Sequence, residues 1–210
     1  MLQGRALDAF RISIEVATSA TLCAAVPALC LAWLLARRRF PGKALVETLI
    51  ALPLVLPPPA VGYLILHLVS RNGPLGQRAL GFDPDVLLTW KGAVLASAVM
   101  SLPIVARTAR VALEGVPARV ELMGRSLGYS RAQVLWRLTL PLARRGLGAA
   151  LLLGFARALG EFGATVVVAG NVRGRTQTLA LAIFADNDWR WIVSDLAALL
   201  VGAIDVPRAA

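Results

Sequence analysis

The sequence predicts an all-α, polytopic membrane bundle of about five transmembrane helices with a helical cytoplasmic loop, all in one transmembrane domain spanning 1–210. Two observations carry this. Of the 210 residues, 58% are hydrophobic and only 16% charged, and mean hydropathy is +0.70, against about a quarter charged in soluble domains. The apolar residues are also concentrated in windows near the ~20 residues a helix needs to cross about 30 Å of hydrocarbon. Five such windows lie near 13–36, 45–69, 92–109, 146–169 and 189–206.

A net charge of +10 would suggest nucleic acid or another polyanion for a soluble protein, but the placement of the charges says more. Arg37, Arg38, Arg39 and Lys43 fill the first connection, and Arg107 to Arg145 crowd the third. The positive-inside rule puts both in the cytoplasm, with the N-terminus and the 70–91 and 170–190 connections outside and the C-terminus inside. With Arg208, 13 basic residues fall inside and eight outside. Lipid, not nucleic acid, is the expected surrounding.

The first span is too long for a signal-peptide core, and its basic cluster ARRRFPGK follows it, so it reads as a retained helix. Cys23 and Cys30 lie on one face of it, too far apart to bridge, and are expected to be small packing residues. The second span contains LPLVLPPPAVGYLIL with Pro53, Pro57, Pro58 and Pro59. Each proline removes a backbone donor, and broken backbone at membrane depth survives only under protein cover or beside a wet cavity. Two readings stand: a kinked packing helix, or a break beside a substrate path. His67 has no cluster of ligand-type neighbours, so no metal is assigned. Residues 70–90 are rich in turn signals and read as an external loop with room for one short helix.

The connection after the third span holds GVPARVELMGRSLGYS. Pro117 suits a first helical turn. Val116, Val120, Met123 and Leu127 form one apolar stripe opposed by Arg119 and Arg125. Gly128 suits a left-handed stop. Ser130 and Gln133 have capping-box spacing for a second helix, which Pro141 ends or kinks. Two short helices hinged at a glycine need cover for the stripe: the rest of the chain, a membrane surface, or another subunit.

In the fourth span, FARALGEFGATVVVAGN places Arg157 and Glu161 four apart, on one helical face where they can pair. The pair either locks the bundle or serves a path or gate. Gly154, Gly160 and Gly163 permit close helix approach. The fifth span contains Asp195 and ends near Asp205; it is either shielded by neighbours or shortened.

Gly128, nine intervening residues and then Leu138-Thr139-Leu140-Pro141 form a pattern that resembles the cytoplasmic loop signature of binding-protein-dependent ABC importer permeases. The E-A-A triplet of that signature is not reproduced: Leu122, Met123 and Gly124 stand there, with Glu121 one place earlier. FPGKALVETLIALPLVLPPPAVGYLIL, WKGAVLASAVMSLPIVARTARVALEGV, FARALGEFGATVVVAGN and GRTQTLALAIF are similar to segments of the molybdate branch. Sulfate permeases share GEFGA; Pro57-Pro58, Val61-Gly62-Tyr63 and Thr165 favour molybdate, and tungstate stays open.

The resemblance implies a transport subunit, not an enzyme, in a bacterial or archaeal inner membrane. Its implied partners are a second copy of itself, a dimer of cytoplasmic ABC ATPases and an external soluble molybdate-binding protein. No G-x4-G-K-[ST] phosphate loop occurs, so ATP and magnesium belong to the partner ATPase and this chain is expected to bind no cofactor. Val120, Glu121, Gly128, Ser130, Gln133, Leu138, Leu140 and Pro141 fall in the implied ATPase-coupling loop. Pro57, Pro58, Arg157, Glu161, Gly163, Thr165 and Gly170 are candidates for the path or gate. Glu161 is not expected to touch the anion, since a carboxylate repels a divalent oxyanion by several kcal/mol at an effective dielectric near 20. Thr165 and the backbone near Gly163 and Gly170 are the neutral alternatives. A membrane enzyme would have to rely on the single His67, and a purely structural membrane protein would leave the hinged helices unexplained.

Overall fold

A computed structural model describes residues 3–81 and 85–185, and within them the chain forms helices and no strand. In order these are α1 (Gln3–Arg37), α2 (Lys43–Val55), α3 (Pro58–Val69), a short α4 (Gln77–Leu80), α5 (Trp90–Glu114), α6 (Ala118–Ser126), α7 (Arg131–Val134), a π turn (Leu135–Thr139), α8 (Leu140–Leu159), α9 (Gly163–Ala169) and α10 (Leu179–Ala185).

The hub is α5, because small residues on several of its faces admit neighbouring backbones. Ala17, Ala20 and Ala24 of α1 pack with Ala93, Val94 and Ala98 of α5, and Ala28 and Ala32 continue against Val105, Ala106 and Ala109. In lipid, where apolar burial gives little drive, such close packing supplies helix association. On another side of α5, Ala96 and Met100 meet Ala164 and Val168 of α9 and Val61 and Ile65 of α3. Cys23 and Cys30 are exposed, against the expectation of a packing role. The alanine stripe takes the buried face of α1, and the cysteines share the outer side with Leu22 and Val26.

Three helices are long and apolar enough to cross a membrane: Leu7–Arg37, Trp90–Glu114 and Arg131–Leu159. The window at 45–69 is instead a pair, α2 and α3, bent by 114°. Pro57 and Pro58 explain the bend. Neither offers an N–H, and a proline disfavours helical backbone in the residue before it; Leu56 is accordingly extended. The expected count of five is thus not reached among the described residues, and the window at 189–206, with Asp195 and Asp205, lies outside them.

The window at 146–169 also differs. Its helix starts far earlier, at Arg131, because Pro141 neither ends nor breaks it. The π turn just before it lets the Leu140 N–H donate to the Leu135 carbonyl five residues back, so the proline enters the first turn of α8, where its missing donor is harmless. At the other end α8 stops at Leu159, and α9 begins only at Gly163.

Candidate functional site

Two breaks in the helical backbone meet inside the bundle. The first is the Pro57-Pro58 bend; the second is the Gly160–Phe162 interruption between α8 and α9. They meet through glycines: a β-carbon on Gly163 would stand 2.8 Å from Pro58 Cβ, and one on Gly62 would stand 2.8 Å from the Ala164 carbonyl oxygen. Backbone contact this close requires the absence of a side chain.

The carboxylate of Glu161, only 2% exposed, ties the second break together. One oxygen accepts from Arg157 and the other from the Ala164 N–H at 2.9 Å. The pair therefore forms, but not along one continuous helix as the spacing suggested. Glu161 lies past the end of α8, and its side chain satisfies a donor in the first turn of α9. Both oxygens are engaged by donors, in keeping with the rule that a buried charge is paired and hydrogen-bonded. Thr165 is fully buried, and its hydroxyl has no hydrogen-bond partner among the described residues. Gly170 terminates α9, two turns from Gly163, and is not part of the same cluster. The structure thus brings together Pro58, Glu161, Gly163 and, through its ion pair, Arg157. Among the described residues no group of three or more His, Cys, Asp or Glu is placed to hold a metal.

The second constellation is the segment 116–141. Gly128 has φ +86°, the left-handed conformation expected of it. The Tyr129 N–H donates to the Gly124 carbonyl and the Gly128 N–H to the Arg125 carbonyl, closing α6 with a Schellman pattern. Ser130 and Gln133 form the reciprocal capping box. Pro117 sits one place outside α6 as its N-cap. The stripe does not stay on one buried face. Val116 is buried and Val120 partly so, whereas Met123 is 61% and Leu127 77% exposed, together with Leu122 and Trp136. Its first half packs on the chain's own helices and its second half is uncovered.

Glu121 fixes the near end of this segment to the bundle. It pairs with Arg37 at 2.7 Å and accepts from the Thr139 hydroxyl at 2.8 Å, while Arg37 also donates to the Leu113 carbonyl. One carboxylate thereby joins α1, α6 and the π turn. Gly124 lies under Leu138 and Val134, setting the close crossing of α6 on the following helix. Sequence reading noted Glu121, placed Arg37 in a basic connection and Thr139 in a loop signature, but missed that both pair with Glu121. Their partners lie 84 and 18 positions away in the chain, and nothing in local spacing signals such pairs.

Comparison with known proteins fits this architecture. Residues 28–204 match the family described as binding-protein-dependent transport system inner membrane component, which is most of the chain. The chain belongs to this family. Among curated relatives of this permease, the molybdenum transport system permease protein ModB of Haemophilus influenzae is 44% identical over 180 residues, 85% of this chain and 79% of that protein. ModB of Escherichia coli is likewise 44% identical, over 84% of this chain and 78% of its own length. The sulfate transport system permease protein CysT of Salmonella typhimurium is 38% identical over 84% of this chain and 64% of its length. The permease is a membrane protein of the inner membrane class, and transport subunits of this kind are not themselves catalysts.

Proposed function

We propose that this permease carries molybdate inward through the membrane as one transmembrane domain, receiving it from an external binding protein and driven by ATP hydrolysis in a separate ATPase dimer. The higher identity to the molybdenum permeases than to the sulfate permease supports molybdate over sulfate, with tungstate the remaining alternative. The observation that carries the coupling role is the uncovered half-stripe: Leu122, Met123, Leu127 and Trp136 stand exposed on a segment whose near end is anchored by Glu121. An anchored helix with a free apolar end is built to transmit displacement of a docked partner. The ATPase is that partner, and a second copy of the permease completes the path.

At the other site, the Pro57-Pro58 bend, which meets Gly163 through Pro58 and Pro59, acts as the gate, and Glu161 holds α9 in place without touching the anion. Thr165 and the backbone at Gly163 are covered while α3 rests on α9. The anion reaches them only when the two helices part. Gly170 bounds the far end of α9.

Two results test this reading. Gly128→Val puts its β-carbon in open space, with nothing among the described residues within 4 Å, but strains the left-handed backbone by about 1–2 kcal/mol. ATPase stimulation by the permease should fall while membrane insertion stays normal; unchanged stimulation would remove the coupling role. For topology, the N-terminus and 70–90 lie outside and 37–43, 110–145 and the C-terminus inside. Gln77→Cys should then react with an impermeant thiol reagent from outside and Gln133→Cys should not, in a background with Cys23 and Cys30 replaced. The reverse pattern would invert the orientation.

A further inference from the structure

At one end of the bundle, α1, α6 and α7 enclose a cavity of about 410 Å³. Its walls include Arg37, Arg38, Arg125 and Arg131, against the single carboxylate of Glu121. That carboxylate is committed to Arg37 and Thr139. Among the described residues, no carboxylate comes within ion-pair distance of Arg38, Arg125 or Arg131. Three arginines thus line a common space with no paired carboxylate among the described residues, an arrangement suited to an anion. Arginine favours phosphate in particular, because its planar fork can donate two parallel hydrogen bonds.

The position of the cavity narrows the kind of anion. Trp33 lines it one turn inside the end of the Leu7–Arg37 span, and Arg131 and Val134 line it from the first turn of the Arg131–Leu159 span. Two spans therefore reach their boundary at this cavity. The Arg38 guanidinium lies over the Trp33 ring, 5.8 Å from its centroid, and a tryptophan with a basic residue is a usual occupant of the headgroup level. Leu135 lines it beside Trp33 and Val134, so the lining passes from basic to apolar. A free inorganic anion would use only the arginines; a phospholipid would use both.

We propose that this cavity holds the phosphodiester headgroup of an anionic membrane phospholipid, with Arg38, Arg125 and Arg131 as its contacts. Basic pockets between spans are recognised sites for such headgroups. The lipid would bridge α1 to the hinged segment, next to the Arg37–Glu121 anchor. The inference depends neither on the transported anion nor on which side of the membrane the segment faces.

The test is titration of the purified full-length permease with cardiolipin, phosphatidylglycerol and phosphatidylcholine, bound lipid being counted by native mass spectrometry. Cardiolipin and phosphatidylglycerol should bind in preference to phosphatidylcholine. Arg125→Gln should weaken cardiolipin roughly fivefold and Arg125→Gln with Arg131→Gln roughly 25-fold, at about the free energy expected per surface arginine. Arg125→Lys, which keeps the charge but not the two-pronged donor, should lose less affinity than Arg125→Gln without matching the wild type, and Arg119→Gln, outside the cavity lining, should change nothing. No preference over phosphatidylcholine, or full affinity in the double variant, would overturn the proposal. Displacement of cardiolipin by millimolar inorganic phosphate would mark a soluble-anion site instead. Loss of the preference whenever the ATPase is bound would assign the cavity to an acidic partner surface. Either of those results also overturns it.

Discussion

Arg157→Ala is expected to destabilise the permease by about 3–5 kcal/mol, the usual range for leaving a buried charge without its partner. The magnitude follows from asymmetry in the pair. Glu161 is 2% exposed, while the Arg157 side chain is 25% exposed, so removal of the arginine strands the group that cannot reach solvent. Glu161→Gln should be milder, since the amide oxygen can still accept from Ala164 N–H. The double variant Arg157→Ala with Glu161→Gln should therefore be more stable than Arg157→Ala alone. Thermal unfolding in nanodiscs distinguishes the cases. If the double variant lost the sum of the single losses, the groups would be independent and the account of the α8–α9 break would fail.

Gly62 is the second position of large effect. A β-carbon there would stand 2.8 Å from the Ala164 carbonyl oxygen, 2.9 Å from Ala164 Cα and 3.0 Å from Val167 Cβ. Two of these obstacles are backbone of a buried helix, and no rotamer change moves them. Gly62→Ala should cost about 1–3 kcal/mol, the usual penalty of overpacking, and Gly62→Val more, with α3 forced off α9 and transport lost. Gly148→Ala is the matched control. Nothing among the described residues lies within 4 Å of its β-carbon position in α8, and replacing a mid-helix glycine should stabilise by about 0.5–1 kcal/mol. Equal unfolding temperatures for wild type and Gly62→Val would show that the close α3–α9 contact is not a feature of the folded protein.

These two sites differ in how far the sequence disclosed them. The Arg157–Glu161 pair was legible because both partners sit four residues apart and stand out among apolar neighbours. Its geometry was not, because GEFGA gives no local sign that the helix stops at Leu159 and restarts at Gly163. The Gly62 contact was hidden for another reason: its partners lie a hundred residues on, and one chain shows no pairing at that distance. The hinge at Gly128 and the capping box of Ser130 with Gln133 were legible in full, since caps and left-handed stops are local chemistry. Pro141 misled. A proline inside a helical pattern suggests an end, but five residues of π turn ahead of it absorbed the defect and extended the span back to Arg131. The half-covered stripe could not be foreseen from periodicity, which shows that a face is apolar and not what covers each turn of it.

The central claim is that the chain is the membrane path of an ATP-driven molybdate importer. Uptake into vesicles tests it most directly: the permease is reconstituted with its ATPase and anion-binding protein, loaded with ATP on the ATPase side, and offered labelled molybdate with unlabelled tungstate or sulfate as competitor. The account predicts ATP-dependent molybdate accumulation that excess sulfate leaves largely intact and that Gly128→Val abolishes or sharply reduces. Accumulation of sulfate in preference to molybdate, or molybdate entry that proceeds equally without ATP, would contradict it.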